Sequence, residues 1–310
     1  MDSEEGGTWF MGDLSDPWVV AIAEAMPASL GSIRVDCAGE LPARPFGPSH
    51  CPRLIVLHRH RLTAGDAARL RVWREPASPA SPPALILCVS PYVRFEELER
   101  WSGLASLVLS EATAPDVLPR HVARLLEEPR SRPARGEGPI FRIEVACASD
   151  DLCGALVEAC TRAGHPVEQV DDRNVGELWA PRYPSASPPE RVLTIWEVPV
   201  LEPRWPERLE RRSLATGPVI ALVSFADRML VARAKALGAV ACLELPCNVD
   251  DLLDVIDRHA RSMSEEAWPV PGRLEPPHVL PPRPRRRSRT QETPTGTPPW
   301  SVPQRRPTIR

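Results

Sequence analysis

Two tandem α/β domains, each a parallel sheet wound with helices, are expected from this chain for three reasons. Short, continuously apolar runs such as VIALV (219–223) and ALILCV (84–89) have the composition of strands buried on both faces. Helical patterns alternate with such runs across short connections, which calls for parallel strands. The alternation also occurs twice. Pro83 and Pro218, Gly103 and Gly238, and Asp16 and Asp151 are each 135 positions apart and stand at matching places in the pattern.

The first copy is assigned to 8–127. It reads TWFMGDL as strand, SDPWVVAIAEAMPASLG as helix, then SIRVDC, CPRLIVLHRH and PPALILCVS as strands. FEELERWSGL follows as helix, ASLVLSEA as strand and PDVLPRHVARLLEE as helix. A linker, EPRSRPARGEGP, covers 128–138, and the second copy occupies 139–260. There IFRIEVACA is a strand, SDDLCGALVEACTRAGH a helix ended near Gly164 and Pro166, PVEQV a short strand and RVLTIWEV a buried one. VLEPRWPERLERRS holds a helix in spite of its prolines. VIALV is the fourth strand, and DRMLVARAKALG is a helix with Leu230, Ala234 and Leu237 on one stripe and Gly238 to stop it. AVACLEL and NVDDLLDVIDRHA close the copy, the latter opened by Asn248 with Asp251 three residues on. Each copy thus reads as five strand–helix units. Residues 261–310 are rich in Pro, Arg, Ser and Thr and are expected to be disordered.

Composition narrows the function. Hydrophobic residues make up 43% of the 310, enough for real cores. Lys235 is the lone lysine, so the basic residues are nearly all Arg, as a GC-rich coding bias would produce. The net charge of -3 hides an acidic body (-10) and a tail from Arg283 onward carrying +7, so an anionic partner would meet the tail. The eight Cys form no C-x-x-C pair, and Cys88, Cys147, Cys160 and Cys242 lie in apolar runs; neither a disulfide framework nor a zinc site is expected. The acidic N-terminus is no signal peptide and no apolar run has spanning length, so the protein reads as cytoplasmic. No G-x-G-x-x-G follows a strand and no G-x-x-x-x-G-K-[ST] occurs, so no cofactor is expected.

The frame PVIAL…ALGA…CLELP…DDLLDVI resembles the receiver (CheY-like) domain of two-component response regulators, over all of 139–260 and more weakly over 8–127. The resemblance implies a doubly wound (βα)5 sheet of order 2-1-3-4-5 with chemistry at the C-terminal strand ends. It also implies phosphoryl transfer to an Asp ending the third strand. An acid pair after the first strand would hold Mg²⁺, and a hydroxyl and a Lys after the fourth and fifth would hold the phosphoryl oxygens.

Those positions are degenerate. In the second copy Cys147 and Ala148 stand at the acid pair, and Asp150 and Asp151 suit a cap and first turn. Ile195 stands at the phosphoacceptor by counting back from Pro199. Glu197 stands there if the register slips by two, where it would mimic a permanent charge. Val223, with Ser224 adjacent, takes the hydroxyl position, and Leu245 that of the Lys, with Pro246 kept. In the first copy Asp13 and Asp16 flank the acid-pair position, His58 replaces the Asp, Cys88 the hydroxyl, and Ser110 with Glu111 the Lys-Pro pair. His58 and His60 share a strand face, but with no third ligand evident no metal is expected.

Two tandem pseudo-receivers suit a non-catalytic signalling adaptor. Signalling proteins would be bound through the helix 4–strand 5–helix 5 faces, with self-association possible through the same surface. In the second copy that face would include Arg228, Arg233, Lys235, Asp250, Asp254 and Arg258. A second expectation is non-specific binding of nucleic acid or an anionic surface by Arg283, Arg285, Arg286, Arg287, Arg289, Arg305 and Arg306, with Trp300 placed to stack on a base. A third is a response regulator phosphorylated at an unconventional residue.

Overall fold

The computed structural model describes residues 7–43, 52–74, 82–126, 141–171 and 191–265. In the first half β1 (Thr8–Gly12) leads to α1 (Pro17–Glu24), a 3-10 turn over Ala28–Leu30 and β2 (Ile33–Asp36). Then come β3 (Leu54–Arg59), α2 (Ala64–Arg74), β4 (Ala84–Val89), α3 (Phe95–Ser102), β5 (Leu107–Ser110) and α4 (Ala114–Leu125). The second half runs β6 (Phe141–Ala146), α5 (Asp150–Ala163), β7 (Val167–Gln169), β8 (Arg191–Glu197) and α6 (Trp205–Thr216). It closes with β9 (Val219–Ser224), α7 (Arg228–Ala236), β10 (Ala239–Leu245) and α8 (Val249–Glu265).

Each half makes one five-stranded parallel sheet, ordered β2-β1-β3-β4-β5 and β7-β6-β8-β9-β10. Both orders are 2-1-3-4-5, as the resemblance implies. The central strands explain why. All six residues of β3 and five of six in β4 and β9 are buried, so these strands need helices on both faces and cannot sit at an edge.

Three details differ from the sequence reading. Among the described residues no helix follows β2 or β7, so each sheet carries four α-helices rather than five. Helix α2 is absent from the sequence reading, because arginines interrupt the apolar pattern of AGDAARLRVWR; it is anchored by Ala67, Leu70 and Trp73, the Asp66 amide donates to Thr63 Oγ1 at 3.0 Å, and Asp66 Oδ1 accepts the Leu41 amide at 2.9 Å. Helix α8 also continues to Glu265, five residues past the expected end of the second domain.

The strands of the two halves correspond in order but not throughout in register. Phe10 and Val145 keep the 135 spacing, and their partners on the neighbouring strands are Val56 and Ile195. All four face one continuous core, which makes Glu197, not Ile195, the face-matched counterpart of His58. At the fourth strand the spacing slips by one. Cys88 belongs to that core while Val223 faces the opposite one, since a single-residue shift turns a strand's side chains over.

The two sheets lie in one compact unit, and the shared core joins them through α4 and α8. Among the described residues, no helix is long and apolar enough to cross a membrane.

Candidate functional site

The first sheet gathers its polar residues at the C-terminal strand ends. Asp16 caps α1, accepting from the Trp18 amide at 2.8 Å, and Trp18 Nε1 donates to the Glu111 carbonyl at 2.8 Å. His58 ends β3 with its side chain buried, and its Nε2 lies 2.6 Å from Glu111 Oε2. His60 stands just beyond, half exposed, with Nε2 3.5 Å from Asp16 Oδ2 and Nδ1 3.7 Å from Glu111 Oε2. The two imidazoles meet edge to face with centroids 4.8 Å apart.

A cation from the second half completes the group. Arg228 opens α7, placed by its N-cap Asp227, whose Oδ1 accepts the Leu230 amide at 2.7 Å. Its Nε and Nη2 reach Glu111 Oε1 and Oε2 at 2.8 and 2.9 Å, and its Nη1 reaches Asp16 Oδ2 at 2.6 Å. The guanidinium also lies 5.9 Å from the Trp18 ring centroid. Burial works against charge on Glu111, but His58 and Arg228 outweigh it and hold the carboxyl below the ordinary glutamate value. Asp16 behaves alike: burial opposes its charge, and Arg228 with the Trp18 amide lowers it. Burial, with Glu111 nearby, pushes the Cys88 thiol up to about 12.

The residues present do not form the hard-oxygen site that Mg²⁺ takes. Asp13 turns its Oδ1 to the Ser15 amide and hydroxyl at 3.0 and 2.5 Å. Asp16 is spent on a helix cap and a guanidinium, and Glu111 on His58 and Arg228. Ser110, at the expected Lys position, has a buried Oγ without a hydrogen-bond partner among the described residues.

The second half is simpler. Ile195 is fully buried within the sheet, so it cannot meet a ligand, whereas Glu197 reaches the strand end and accepts the Ala148 amide at 2.8 Å. Cys147 is half-buried, its thiol pushed by burial up to about 12. Ser149, rather than Asp150 or Asp151, caps α5. Val223 is buried, Ser224 half-buried, and Leu245 precedes Pro246.

The face expected to meet partners is largely occupied within the chain. Lys235 Nζ lies 2.9 Å from Asp116 Oδ1, and Asp116 Oδ2 accepts the Cys242 amide of the edge strand β10 at 2.9 Å. Arg120 pairs with Asp251 and, at 2.7 Å, with Asp250; His121 Nε2 lies 3.1 Å from Asp251 Oδ2. Arg258 donates to the Asp116 carbonyl while holding Asp254 at 3.2 Å. Arg233 faces its own half, 5.3 Å from the Trp205 ring.

The sequence named Glu111, His60 and Arg228 but separated them. No local signal could join residues 117 positions apart in different halves of the chain, since only docking of the halves brings them together. Beside His58 and His60 the fold places Glu111, a third side chain of metal-ligating type that the sequence did not bring near them. The tail arginines Arg283, Arg285, Arg286, Arg287, Arg289, Arg305 and Arg306, and the linker, lie outside the described residues.

No protein-family model matches the chain, and no curated protein is significantly similar to it. Several solved structures are. A CheY-like response regulator receiver domain protein from Methanospirillum hungatei is 19% identical over 41% of this chain and 98% of its own, with a TM-score of 0.34. A protein assigned to pilus assembly from Burkholderia thailandensis is 18% identical over 39% of this chain and 98% of its own, TM-score 0.32. The C-terminal part of RcsC from E. coli, a linker region and phosphoreceiver domain, is 16% identical over 84% of this chain and 94% of its own, TM-score 0.31. The solved structures to which the chain is similar thus include receiver domains of response regulators.

Proposed function

We propose that the chain is a non-catalytic signalling adaptor or regulator, built from two receiver-type halves in which phosphoryl chemistry has given way to internal ion pairing. One observation carries this reading: Arg228 of the second half fills the strand-end site of the first, on Glu111 and Asp16. A phosphoryl group at His58 would have to enter beside two carboxylates already committed to that guanidinium, without an acid pair and without a Lys to receive its charge. In the second half Glu197 stands at the strand end, its carboxyl accepting the Ala148 backbone amide.

With α7, β10 and α8 engaged by the first half, a partner protein meets other surfaces. Tyr92, Phe95, Phe225 and Met229 are exposed apolar side chains near the strand ends of both halves. The Arg-rich tail, carrying +7 against an acidic body, is a second reading, as an arm for nucleic acid or anionic surfaces.

Intact-mass measurement after incubation with acetyl phosphate and Mg²⁺ tests the first reading. No adduct is expected. A stoichiometric, labile phosphoryl adduct would return the protein to the phosphorylation-dependent regulators.

A further inference from the structure

We propose that His58, His60 and Glu111 bind a divalent transition-metal ion of the zinc class, and that Arg228 occupies the same place when the ion is absent. Their ligand atoms all lie within 4.8 Å of one another. His58 Nε2 and His60 Nδ1 stand 2.6 and 3.7 Å from Glu111 Oε2. A tetrahedral ion with bonds of about 2.0–2.1 Å sets its ligands roughly 3.3 Å apart, so the first of these distances opens and the second closes by a fraction of an ångström, while the two histidine nitrogens, within 4.8 Å of each other, draw in to the same spacing. The edge-to-face arrangement of the imidazoles, at 87°, lets their nitrogens converge without the rings clashing.

The surroundings have the form of a metal site. His58 is fixed on a buried strand, and Glu111 is anchored by its carbonyl to Trp18 Nε1. Asp16 Oδ2 stands 3.5 Å from His60 Nε2, the nitrogen turned away from Glu111, as in carboxylate–histidine–metal relays that orient the ligand ring. Two imidazoles and one carboxylate favour zinc-class ions over Mg²⁺ or Ca²⁺, which prefer all-oxygen shells.

Arg228 and the ion exclude each other, because the guanidinium occupies both oxygens of Glu111. Metal binding would release it and loosen the contact of α7 with the first half. The site therefore couples metal occupancy to the pairing of the two halves.

The test titrates EDTA-stripped full-length protein with Co²⁺, whose visible absorption reports nitrogen and oxygen ligation. One equivalent should bind, be displaced by Zn²⁺ and be unaffected by millimolar Mg²⁺. Arg228→Gln removes the competing cation and should tighten binding by at least about tenfold, the equivalent of one charge-assisted hydrogen bond. His60→Ala should abolish the spectrum; the side chain is 52% exposed, so the variant keeps its fold. Absence of binding in both wild type and Arg228→Gln, or binding retained in His60→Ala, would overturn the site. Equal affinity of wild type and Arg228→Gln would overturn the competition.

Discussion

Arg228 forks onto the carboxylate of Glu111, 117 residues away in the other half of the chain, with Nε and Nη2 at 2.8 and 2.9 Å from its two oxygens. Glu111 is 3% exposed as a side chain, and the pair closes the strand-end cleft of the first sheet with a charge from the second. Contact between the halves and site chemistry are thus the same few atoms.

Removing that guanidinium strands a buried carboxylate. Arg228→Ala should destabilise the protein by about 3 kcal/mol, and adding Glu111→Gln should recover part of the loss because no buried charge is then left unpaired. Urea unfolding of the two variants and wild type checks both statements; no recovery in the double variant would mean that the pair acts through packing alone.

Asp116 is a second fastening, tying Lys235 and the edge-strand amide of Cys242 to α4. Asp116→Ala should cost about 2 kcal/mol, since a buried amide loses its acceptor. Hydrogen exchange gives the sharper readout: protection at Cys242 should fall while the β8–β9 ladder stays protected.

Acid should loosen the pairing before it melts the sheets. The carboxyls of Asp16, Glu111 and Asp251 sit below their ordinary values of 3.8, 4.5 and 3.8, because burial, which opposes their charge, is outweighed by Arg228, Arg120 and their histidine neighbours. A depressed carboxyl stabilises fully above its unfolded value and loses that contribution as pH falls through the folded one. For these groups stability should stay level from pH 7 to about 5 and drop below about 4. His259, held below 6.5 by burial and Arg258, adds an earlier slope as pH falls from that value, which His259→Gln should remove. Unfolding midpoints measured across pH 3–7 check the two steps.

Burial pushes the thiols of Cys88 and Cys242 up to about 12 and that of Cys160 up to about 11. Alkylation at pH 8 should therefore spare these three in the native protein and label them in urea, as site-resolved mass spectrometry would show.

Gly238 explains one end of the repeat. Its φ is +105°, and a Cβ there would lie 2.1 Å from Ser213 Oγ on α6. Gly238→Ala should cost roughly 1–3 kcal/mol through backbone strain and crowding, with partial rescue by Ser213→Gly; a neutral Gly238→Ala would show that α6 yields.

The strands were legible because burial on both faces leaves a continuous apolar run, as in VIALV and ALILCV, that needs no tertiary knowledge to read. Helix α2 was not legible: its core-facing residues, Ala67, Leu70 and Trp73, make too weak a stripe to stand out among exposed Val72 and the arginines. Of the site, residue types were visible and proximity was not. The sequence left both Ile195 and Glu197 open, and their different settings, one buried within β8 and the other at its end, became visible only in the fold.

Local chemistry along the chain determined the alternation of apolar strands and helices in each half and which residue types stand near the strand ends. These are properties of neighbours in sequence, and short-range sterics and burial decide them. Tertiary structure decided which face each strand presents, that α4 would lie against α8, and that Arg228 would meet Glu111 and Asp16 beside two histidines. Such contacts depend on how two finished sheets dock, and docking is chosen by the summed complementarity of whole surfaces rather than by any stretch of residues.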